Sequence, residues 1–596
     1  MKVLFFAPHS ALWVHAFPEA LVAEALMQSG HEIVYVSCGR QFRQFCVPMI
    51  ANGLKPDSDA ERKELICKAC VANKDLIRKE FGFDGYDLAD ALDPQMLLQV
   101  EAHMRAATPT NFLDLVIDGI EIGRAALSTY LLSFKKITLE FSQQEWAVFV
   151  IELRNTLYAF YAARVILDRE KPDRVLVYSS GYSVNLVFCH VAQARGITHY
   201  YMNAGSNITD RLQKVVLARG HSLQKRLLTY WPVFRDKPCG PQALRYVTDH
   251  LLEVLKGRSA FVYSSARVGE TLDIRRIFGI RPEQRILLAT MSSYDELFAA
   301  ESTGLFPKDY QTPFADQAAW LHTLLAWVES RPDLFLIIRV HPREFPNKRD
   351  PVKSEHARQL EATLRKVPEN AAVNWPSQGL SLYDLAGETA VCLNAWSTVG
   401  KELSLLGIPT VIYSPDLVFY PEDLNYVGKT RETYLQAIQH ALDDGWSLDK
   451  IRLTYRWLAL EDKYSRLDIA DGFKRSEYEA PSLTRRGVLK AWRLINPVWR
   501  EREDCRRRPP RLAAESLINR ILSEQKSSVL EILEPTDFES VSAQEEERYM
   551  KIELGRIAEA LFGNLEQPGA PGSLRQNLRS VVRGEICLNP CAQIHI

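Results

Sequence analysis

Short apolar runs alternate with longer amphipathic segments along most of the chain. Residues 2–7 (KVLFFA) predict a buried strand, residues 17–28 predict a helix with its apolar positions on one face, and residues 32–37 predict a second strand. Gly30 follows the helix, where a C-cap requires a residue that tolerates positive φ. The opening of the chain therefore predicts a β-α-β unit.

The same alternation recurs in two later parts of the chain. Residues 172–205 again predict a strand, a turn, a helix, a glycine and a strand, and residues 85–170 before them predict mostly helix. A second series of strands and helices occupies residues 281–414. This pattern predicts an α/β protein whose two domains meet near residues 265–280.

The length of 596 residues exceeds what one hydrophobic core supports, and the 46% apolar content is ample for two. We expect a Rossmann-like N-terminal domain at residues 1–265, with its helical insertion at 85–170. A second Rossmann-like domain is expected at residues 275–475. A helical, partly basic extension and tail are expected at residues 476–596.

Charge and hydropathy narrow the classes of function. The 73 Lys and Arg residues nearly balance the 74 Asp and Glu residues, so no overall charge bias favours a nucleic-acid partner. The N-terminal segment lacks the features of a signal peptide, and no run reaches about 18 uninterrupted apolar residues. We therefore expect a cytoplasmic protein with no nucleic-acid partner.

The ten cysteines are too sparse for a disulfide scaffold in a chain of this length. Cys38, Cys46, Cys67 and Cys70 nevertheless fall close together, the last two as a C-x-x-C pair. Four thiolates could hold a structural zinc, although zinc sites commonly show two tight pairs. The alternative is a cluster of partly buried thiols without a metal.

Ligands of open parallel sheets bind at the carboxyl ends of the strands, so the residues after each predicted strand are the candidate site. His9 and His15 follow the first strand. A neutral imidazole can remove a proton from a hydroxyl group, which would make either histidine a general base. The alternative is that these histidines only cap or pack.

Two further segments carry charge after a strand. In RVHPRE, an apolar strand leads to His341 and Arg343, which together can bind an anionic group. An ordinary turn with solvated charges is the alternative. In SSYDE, residues 292–296 follow the strand RILLAT, and capping of the next helix explains them equally well.

The segment NAWSTVGKELSLLGIPTVIYS predicts a helix that begins near Ser397 and Thr398. Free backbone N–H groups there would bind phosphate, and Gly400 would permit its close approach. Lys401 would add positive charge, and Glu402 could accept hydrogen bonds from ribose hydroxyls. The alternative takes Ser397 as an N-cap and Glu402 as a first-turn acid.

These segments resemble a known family. HAFPEALVAEALMQSGHEIVYVS (residues 15–37) resembles the opening of nucleotide-sugar glycosyltransferases of the GT-B type, and KELSLLGIPTVIY resembles the glutamate and Gly-x-Pro segment of their C-terminal domains. With RVHPRE and the Ser-Thr pair, the resemblance is closest to bacterial capsule and surface-polysaccharide transferases. It covers about residues 1–50 and 170–460.

The resemblance implies two Rossmann-like domains that face a cleft, with a helical C-terminal extension. It implies transfer of a sugar from a nucleotide-activated donor to a growing capsule or lipopolysaccharide O-antigen type polysaccharide, by inversion and without a catalytic metal or other cofactor. His15 would be the base, with His9 the second choice, although Val14 stands where the family has glycine. The donor phosphates would contact His341 and the Ser-Thr pair, and Glu402 would hold the ribose.

Several alternatives remain open. A nucleotide-sugar epimerase or a polyol-phosphate transferase would share this fold, and a non-catalytic glycan-binding assembly protein would use the cleft only for binding. Glu402, Gly407 and Pro409 match as a set the transferases that use UDP- or GDP-sugars, which narrowly favours those donors. The His-Pro and Ser-Thr pairs resemble users of CMP-sugars instead.

Residues 484–511 contain ten Arg or Lys and three acids, with tryptophans at helical spacing. A basic amphipathic segment of this kind suits the cytoplasmic face of the inner membrane, where a lipid-linked glycan acceptor would be bound. The alternative is a helix that packs across the domain interface.

Overall fold

The computed structural model describes residues 1–259, 262–267, 272–306, 308–347, 351–473, 498–563, 565–566 and 569–586. The strands of these residues are β1 (Lys2–Phe6), β2 (Glu32–Ser37), β3 (Asp84–Asp87), β4 (Val116–Ile117), β5 (Ile120–Glu121), β6 (Arg174–Tyr178), β7 (Thr198–Ala204), β8 (Lys214–Arg219), β9 (Arg285–Thr290), β10 (Leu334–Arg339), β11 (Ala371–Asn374), β12 (Thr389–Asn394), β13 (Thr410–Ile412), β14 (Tyr426–Val427) and β15 (Leu467–Asp468).

Helices connect these strands and extend beyond them. The α-helices are Trp13–Gln28, Val47–Ala51, Ala60–Phe81, Pro94–Ala106, Ile122–Phe134, Gln143–Glu170, Ser183–Ala194, Gln224–Arg235, Pro241–Lys256, Ile274–Phe278, Tyr294–Ser302, Gln317–Glu329, Glu355–Thr363, Leu382–Ala386, Val399–Leu405, Pro415–Val418, Arg431–Asp444, Leu448–Leu458, Trp499–Arg507, Glu515–Ser523, Ala543–Phe562 and Leu574–Val582. A π-helical turn, Ala459–Tyr464, continues one of them.

Two large sheets form the centres of two domains. The first has the strand order β15-β8-β7-β6-β1-β2-β3, and the second has the order β11-β10-β9-β12-β13-β14. All pairs of the second sheet are parallel, and in the first sheet only the pairs β7–β8 and β8–β15 are antiparallel. Each sheet thus has the doubly wound order of a Rossmann fold, which confirms the predicted fold class.

The apolar runs form strands because both faces of each sheet are covered by helices. In β1, Val3 and Phe5 lie in one hydrophobic cluster with the helix Trp13–Gln28. Leu4 and Phe6 point to the opposite face and pack with the helical insertion. A strand buried on both sides requires a continuous apolar run, and KVLFF supplies it.

The chain returns to the first domain before its helical extension begins. β15 pairs with β8, so residues 467–468 complete the N-terminal sheet although they lie in the segment expected to form the second domain. The helix Glu515–Ser523 then packs on the helix Trp13–Gln28, and the helix Ala543–Phe562 packs on Pro241–Lys256. The described part of the extension therefore packs on the first domain and on the helix Pro241–Lys256, which we call the linker helix.

The two domains also contact each other through the helical insertion. The helix Ile122–Phe134 packs against Tyr294–Ser302 of the second domain. At its end, Lys135 Nζ donates to the carbonyl oxygens of Arg343 and Val352, both at 2.7 Å. The insertion thus fixes the turn that follows β10. Within the described ranges, no helix combines the length and the apolar character needed to cross a membrane.

Candidate functional site

A cavity of about 270 Å³ lies between the two domains. One wall is the carboxyl edge of the second sheet, where β9, β10 and β12 end. The other wall combines residues 206–211 of the first domain with the linker helix Pro241–Lys256. Because β9 and β12 flank the point at which the strand order reverses, this is the position where doubly wound sheets bind ligands.

Arg339 ends β10 and lines this interdomain cavity. Its guanidinium donates to Asn374 Oδ1 at 2.6 Å and to the Leu380 carbonyl at 3.2 Å. Burial lowers the pKa of Arg339 to about 10, so the side chain remains a cation at neutral pH. The site therefore has one positive charge that the fold holds rigidly.

His341 follows β10 and also lines the cavity. Its Nδ1 accepts the backbone N–H of Arg343 at 3.3 Å. Burial lowers the pKa of His341, so the ring is neutral and Nε2 carries its proton. This histidine can donate a hydrogen bond to a ligand without adding charge.

Ser397, Thr398 and Glu402 form a connected group on the β12 side of the cavity. The Thr398 hydroxyl donates to Glu402 Oε1 at 3.0 Å, and the Tyr383 hydroxyl donates to Glu402 Oε2 at 2.7 Å. The Val399 N–H donates to the Ser397 side chain at 3.2 Å. The Ser397 side chain therefore occupies the Val399 N–H, and phosphate binding by the other N–H groups of this turn stays a prediction.

Lys401 and Gly400 differ in their placement from the sequence prediction. Lys401 lines the cavity, but its ammonium lies 2.6 Å from Glu461 Oε2, which neutralises it. Gly400 does not line the cavity, and a Cβ there would collide with the Tyr420 hydroxyl. A glycine is required at this position because the Tyr420 hydroxyl, and not a phosphate, lies against it.

Arg343 points away from the cavity, in contrast to the predicted anion-binding role. Its guanidinium lies 2.7 Å from Asp295 Oδ2 and donates to the Leu132 carbonyl of the first domain at 3.2 Å. Asp295 belongs to the SSYDE segment, which forms the start of the helix Tyr294–Ser302. Arg343 therefore ties two domains together instead of facing a ligand.

His9 and His15 lie at the carboxyl edge of the first sheet, outside the lining of the cavity. His9 stacks on Tyr182 at 5.3 Å and His15 stacks on Tyr178 at 4.1 Å between ring centroids. Burial lowers the pKa of His9 to about 3 and that of His15 to about 4. Both rings are neutral at pH 7, and His15 is the less buried of the two.

Three cavity residues outside the second sheet were not predicted, one each from the first domain, the linker helix and the π-helical turn Ala459–Tyr464. These are Arg211, His250 and Asp462. Asp462 accepts a hydrogen bond from Ser206. None of the three follows a strand of the second sheet, so the rule that identified the other candidates gave no signal for them.

The four clustered cysteines lie in the first domain, apart from the cavity. Cys70 Sγ accepts the N–H of Ala11 at 3.2 Å, and Cys38 Sγ accepts that of Phe42 at 3.4 Å. Burial raises the pKa of Cys38 to about 12 and that of Cys70 to about 11. Across the described part of the chain, no three His, Cys, Asp or Glu side chains have the arrangement of a metal site. Zinc binding stays a prediction.

The basic segment 484–511 is described only from residue 498 onward. In that part, Asp504 accepts from Trp13 Nε1 at 2.7 Å, and the Arg508 guanidinium lies 3.1 Å from Glu24. Residues 498–532, which we call the C-terminal strap, therefore pack on the first domain. The remainder of the segment lies outside the described residues.

Comparison with known proteins identifies fold neighbours only. No family model and no curated protein matches the chain. Solved structures that match include the beta Kdo 2,4 transferase KpsC of Thermosulfurimonas dismutans, with 13% identity over 49% of this chain and 80% of that chain, at a TM-score of 0.30.

Two further matches are UDP-N-acetylglucosamine 2-epimerases. The putative enzyme of Listeria monocytogenes is 11% identical over 76% of this chain and 90% of its own, at a TM-score of 0.25. That of Methanocaldococcus jannaschii, solved with UDP-GlcNAc and UDP, is 13% identical over 76% and 98%, at a TM-score of 0.27. Likeness at this level supports no statement about activity, so the functional argument rests on the site.

Proposed function

We propose that the protein is a glycosyltransferase that takes a sugar from a nucleotide-activated donor and adds it to a bacterial surface polysaccharide. The observation that carries this proposal is the interdomain cavity at the switch point of the second sheet. It combines a fixed cation, Arg339, with a neutral donor, His341, and an acceptor, Glu402. A phosphate requires a cation, the leaving-group oxygen requires a hydrogen-bond donor, and the ribose hydroxyls require an acceptor.

The donor would bind with its phosphates toward Arg339 and with its ribose toward Glu402. We favour a UDP- or GDP-sugar over a CMP-sugar, because Glu402 lines the cavity and both Arg339 and Arg211 supply positive charge to it. Lys401 adds little, since Glu461 pairs with it.

Transfer would proceed by single displacement with inversion. His15 would remove the proton of the acceptor hydroxyl, and Arg339 and His341 would stabilise the negative charge that develops on the departing nucleotide phosphate. No step of this route requires a metal. The acceptor would be a glycan or a lipid-linked glycan that enters beside the carboxyl edge of the first sheet.

A second candidate function is a nucleotide-sugar epimerase. The placement of His9 and His15 outside the cavity favours it, because the cavity itself holds His341, Glu402 and Asp462 without either predicted acceptor base. An epimerase needs acid and base groups at the sugar and no acceptor. The two functions differ in whether product forms from the donor alone.

The test is incubation of the purified protein with a panel of UDP-, GDP- and CMP-sugars and CDP-polyols, with and without an oligosaccharide acceptor. Acceptor-dependent sugar transfer with inversion supports the proposal, and epimer formation without acceptor supports the second candidate. Transfer of a polyol phosphate, or binding without turnover, would refute both.

A matched pair of acid variants shows whether the cavity is the site. Glu402→Gln should lower kcat/KM by about tenfold to a hundredfold, since it replaces hydrogen bonds to a charged group. Glu361→Gln, on an exposed helix of the same domain, should leave kcat/KM unchanged.

A further inference from the structure

His250 is a cavity residue that none of the predicted roles uses. It lies on the linker helix Pro241–Lys256 and lines the interdomain cavity together with Glu402. The helix also contributes Leu251 and Val254 to the cavity lining, so His250 is the polar side chain that it presents there. What His250 can bind depends on which ring nitrogen carries its proton.

The protonated nitrogen of His250 is fixed by the backbone. The Ile208 N–H donates to His250 Nδ1 at 3.0 Å. The preceding residue, Asn207, donates from its side chain to the Tyr246 carbonyl at 3.0 Å, one helical turn before His250. These two bonds hold the loop on the helix. Because Nδ1 is an acceptor, the neutral ring carries its proton on Nε2.

Glu402 has the opposite hydrogen-bonding character. Its two oxygens already accept from the Thr398 and Tyr383 hydroxyls, which orient the carboxylate and leave its other lone pairs for a ligand. An ionised carboxylate can only accept, and a neutral Nε2–H can only donate. A phosphate oxygen would be repelled by Glu402, and a base carbonyl would satisfy only His250.

A hydroxyl group both donates and accepts, and a vicinal diol presents two of them side by side. Glu402 is already assigned to the ribose, and we propose that His250 is a second residue that binds its diol, with one hydroxyl donating to Glu402 and the other accepting from His250 Nε2. The linker helix thereby takes part in recognising ribonucleotides over deoxyribonucleotides. This inference rests on the proposed function, since it requires a nucleotide in the cavity.

Burial keeps the His250 ring neutral, because the charged groups around it act in opposite directions on its pKa. Burial lowers the pKa of His250 to about 4, while Glu402 and Glu461 act to raise it and Lys401 and Arg211 act to lower it. The ring is therefore a neutral donor throughout the range from about pH 5 to 9. Binding through His250 should not vary with pH in that range.

The experiment is calorimetric titration with UDP, GDP and CMP, each beside its 2′-deoxy and 3′-deoxy analogues. The wild type should bind the ribonucleotide about tenfold more tightly than at least one deoxy analogue, as expected for a hydroxyl held at both ends. His250→Phe removes the donor, and the preference for the hydroxyl that accepts from His250 should fall to about twofold or less, while the hydroxyl that donates to Glu402 should still be required. His250→Gln, which retains an N–H donor, should restore part of the lost preference.

His440→Phe is the control, since His440 is exposed on a helix of the second domain. It should leave every affinity unchanged. Because His250→Phe leaves the Ile208 N–H without its acceptor, thermal unfolding of each variant is measured first. If His250→Phe fails to fold, the imidazole ¹⁵N resonances of the wild type replace it, and addition of the nucleotide should shift the protonated Nε2 of His250.

The outcomes separate this inference from the proposed function. An unchanged ribose preference in folded His250→Phe, or an unmoved Nε2 resonance, would overturn the inference and leave the nucleotide site intact. Absence of binding of any nucleotide by the wild type would overturn both.

Discussion

The Lys136 ammonium forms an ion pair with Glu355 across the boundary between the two domains, with 3.0 Å between Nζ and Oε1. The same carboxylate accepts the backbone N–H of Ile137 at 2.8 Å and the Thr138 hydroxyl at 3.1 Å. Since Lys135 beside it holds the carbonyl of Arg343, this junction connects the helical insertion to the turn that carries His341. The contact between domains is therefore linked to the geometry of the cavity.

Glu355→Gln removes the charge from this junction and one of its acceptor oxygens. The free energy of unfolding should fall by about 1–3 kcal/mol, because Lys136 is nearly buried and loses a charged partner. Glu361→Gln, whose Lys353 partner is more exposed, should change it by less than about 0.5 kcal/mol. Urea titration of both variants checks this, and equal effects would contradict the assignment.

His15→Ala should lower turnover by about 10²–10⁴-fold while nucleotide affinity stays near that of the wild type, because His15 lies outside the cavity that would bind the donor. Initial rates and calorimetry measure the two quantities on the same preparation. His322→Ala is the matched control on an exposed helix position. Turnover at the wild-type level would move the base to His9 or to an acid.

The free energy of unfolding should decline in mild acid because three histidines of the first domain, His190, His199 and His221, are clustered and partly or fully buried. His199 and His221 lie 4.6 Å apart between ring centroids, with His190 beside His221. Burial lowers the pKa of His199 to about 4 and that of His221 to about 3. The native state then binds fewer protons than the unfolded chain, in which histidine titrates near pH 6.5.

Because the unfolded chain binds more protons, the free energy of unfolding falls as the pH falls. The stability held by the neutral rings is fully present above about pH 6.5 and is lost as pH falls toward 3. His221→Gln should reduce the slope of unfolding free energy against pH by about one proton in that window. Urea titrations at several pH values measure the slope, and an unchanged slope would exclude the histidine cluster as its source.

Arg508 should anchor the C-terminal strap to the first domain. Its guanidinium pairs with Glu24 at 3.1 Å, donates to the Glu80 carbonyl at 2.7 Å and lies 4.2 Å from the Phe81 ring centroid. Arg508→Ala should lower the free energy of unfolding by about 1–3 kcal/mol. Exposed Arg506→Ala is the control, and equal stability of the two variants would show that the strap is not held there.

Zinc binding by the four cysteines is tested by elemental analysis of protein purified without chelator. About one equivalent of zinc, absent from Cys67→Ser, would support the structural site. Metal-free protein with full thermal stability would establish the thiol cluster instead.

Both sheets were predictable from the sequence, but the return of the chain from the second domain to the first sheet was not. The apolar runs at 2–7 and 285–290 predict buried strands, because parallel sheets bury both faces. β15 has only two residues, Leu467 and Asp468, and pairs with a strand about 250 residues earlier, so local periodicity contains no sign of it.

The candidate site likewise contains residues that were predictable from the sequence and residues that were not. His341, Ser397, Thr398 and Glu402 follow strands and were therefore predictable from strand ends. Arg343 also follows a strand, but its direction depends on Asp295, which becomes its neighbour only in the folded chain. His250 lies in an ordinary amphipathic helix, and its role depends on the Ile208 amide that packs against it.

The central claim is that the interdomain cavity binds the nucleotide part of a sugar donor. Calorimetric titration of UDP, GDP and CMP into the wild type, Arg339→Ala and His341→Ala tests it most directly. The account predicts one nucleotide per chain, a diphosphate bound more tightly than CMP, and an affinity at least about tenfold weaker in each variant. Tighter binding of CMP, with that preference lost in His341→Ala, would overturn the choice of donor. Nucleotide affinity that is absent in the wild type, or unchanged in both variants, would contradict the claim itself.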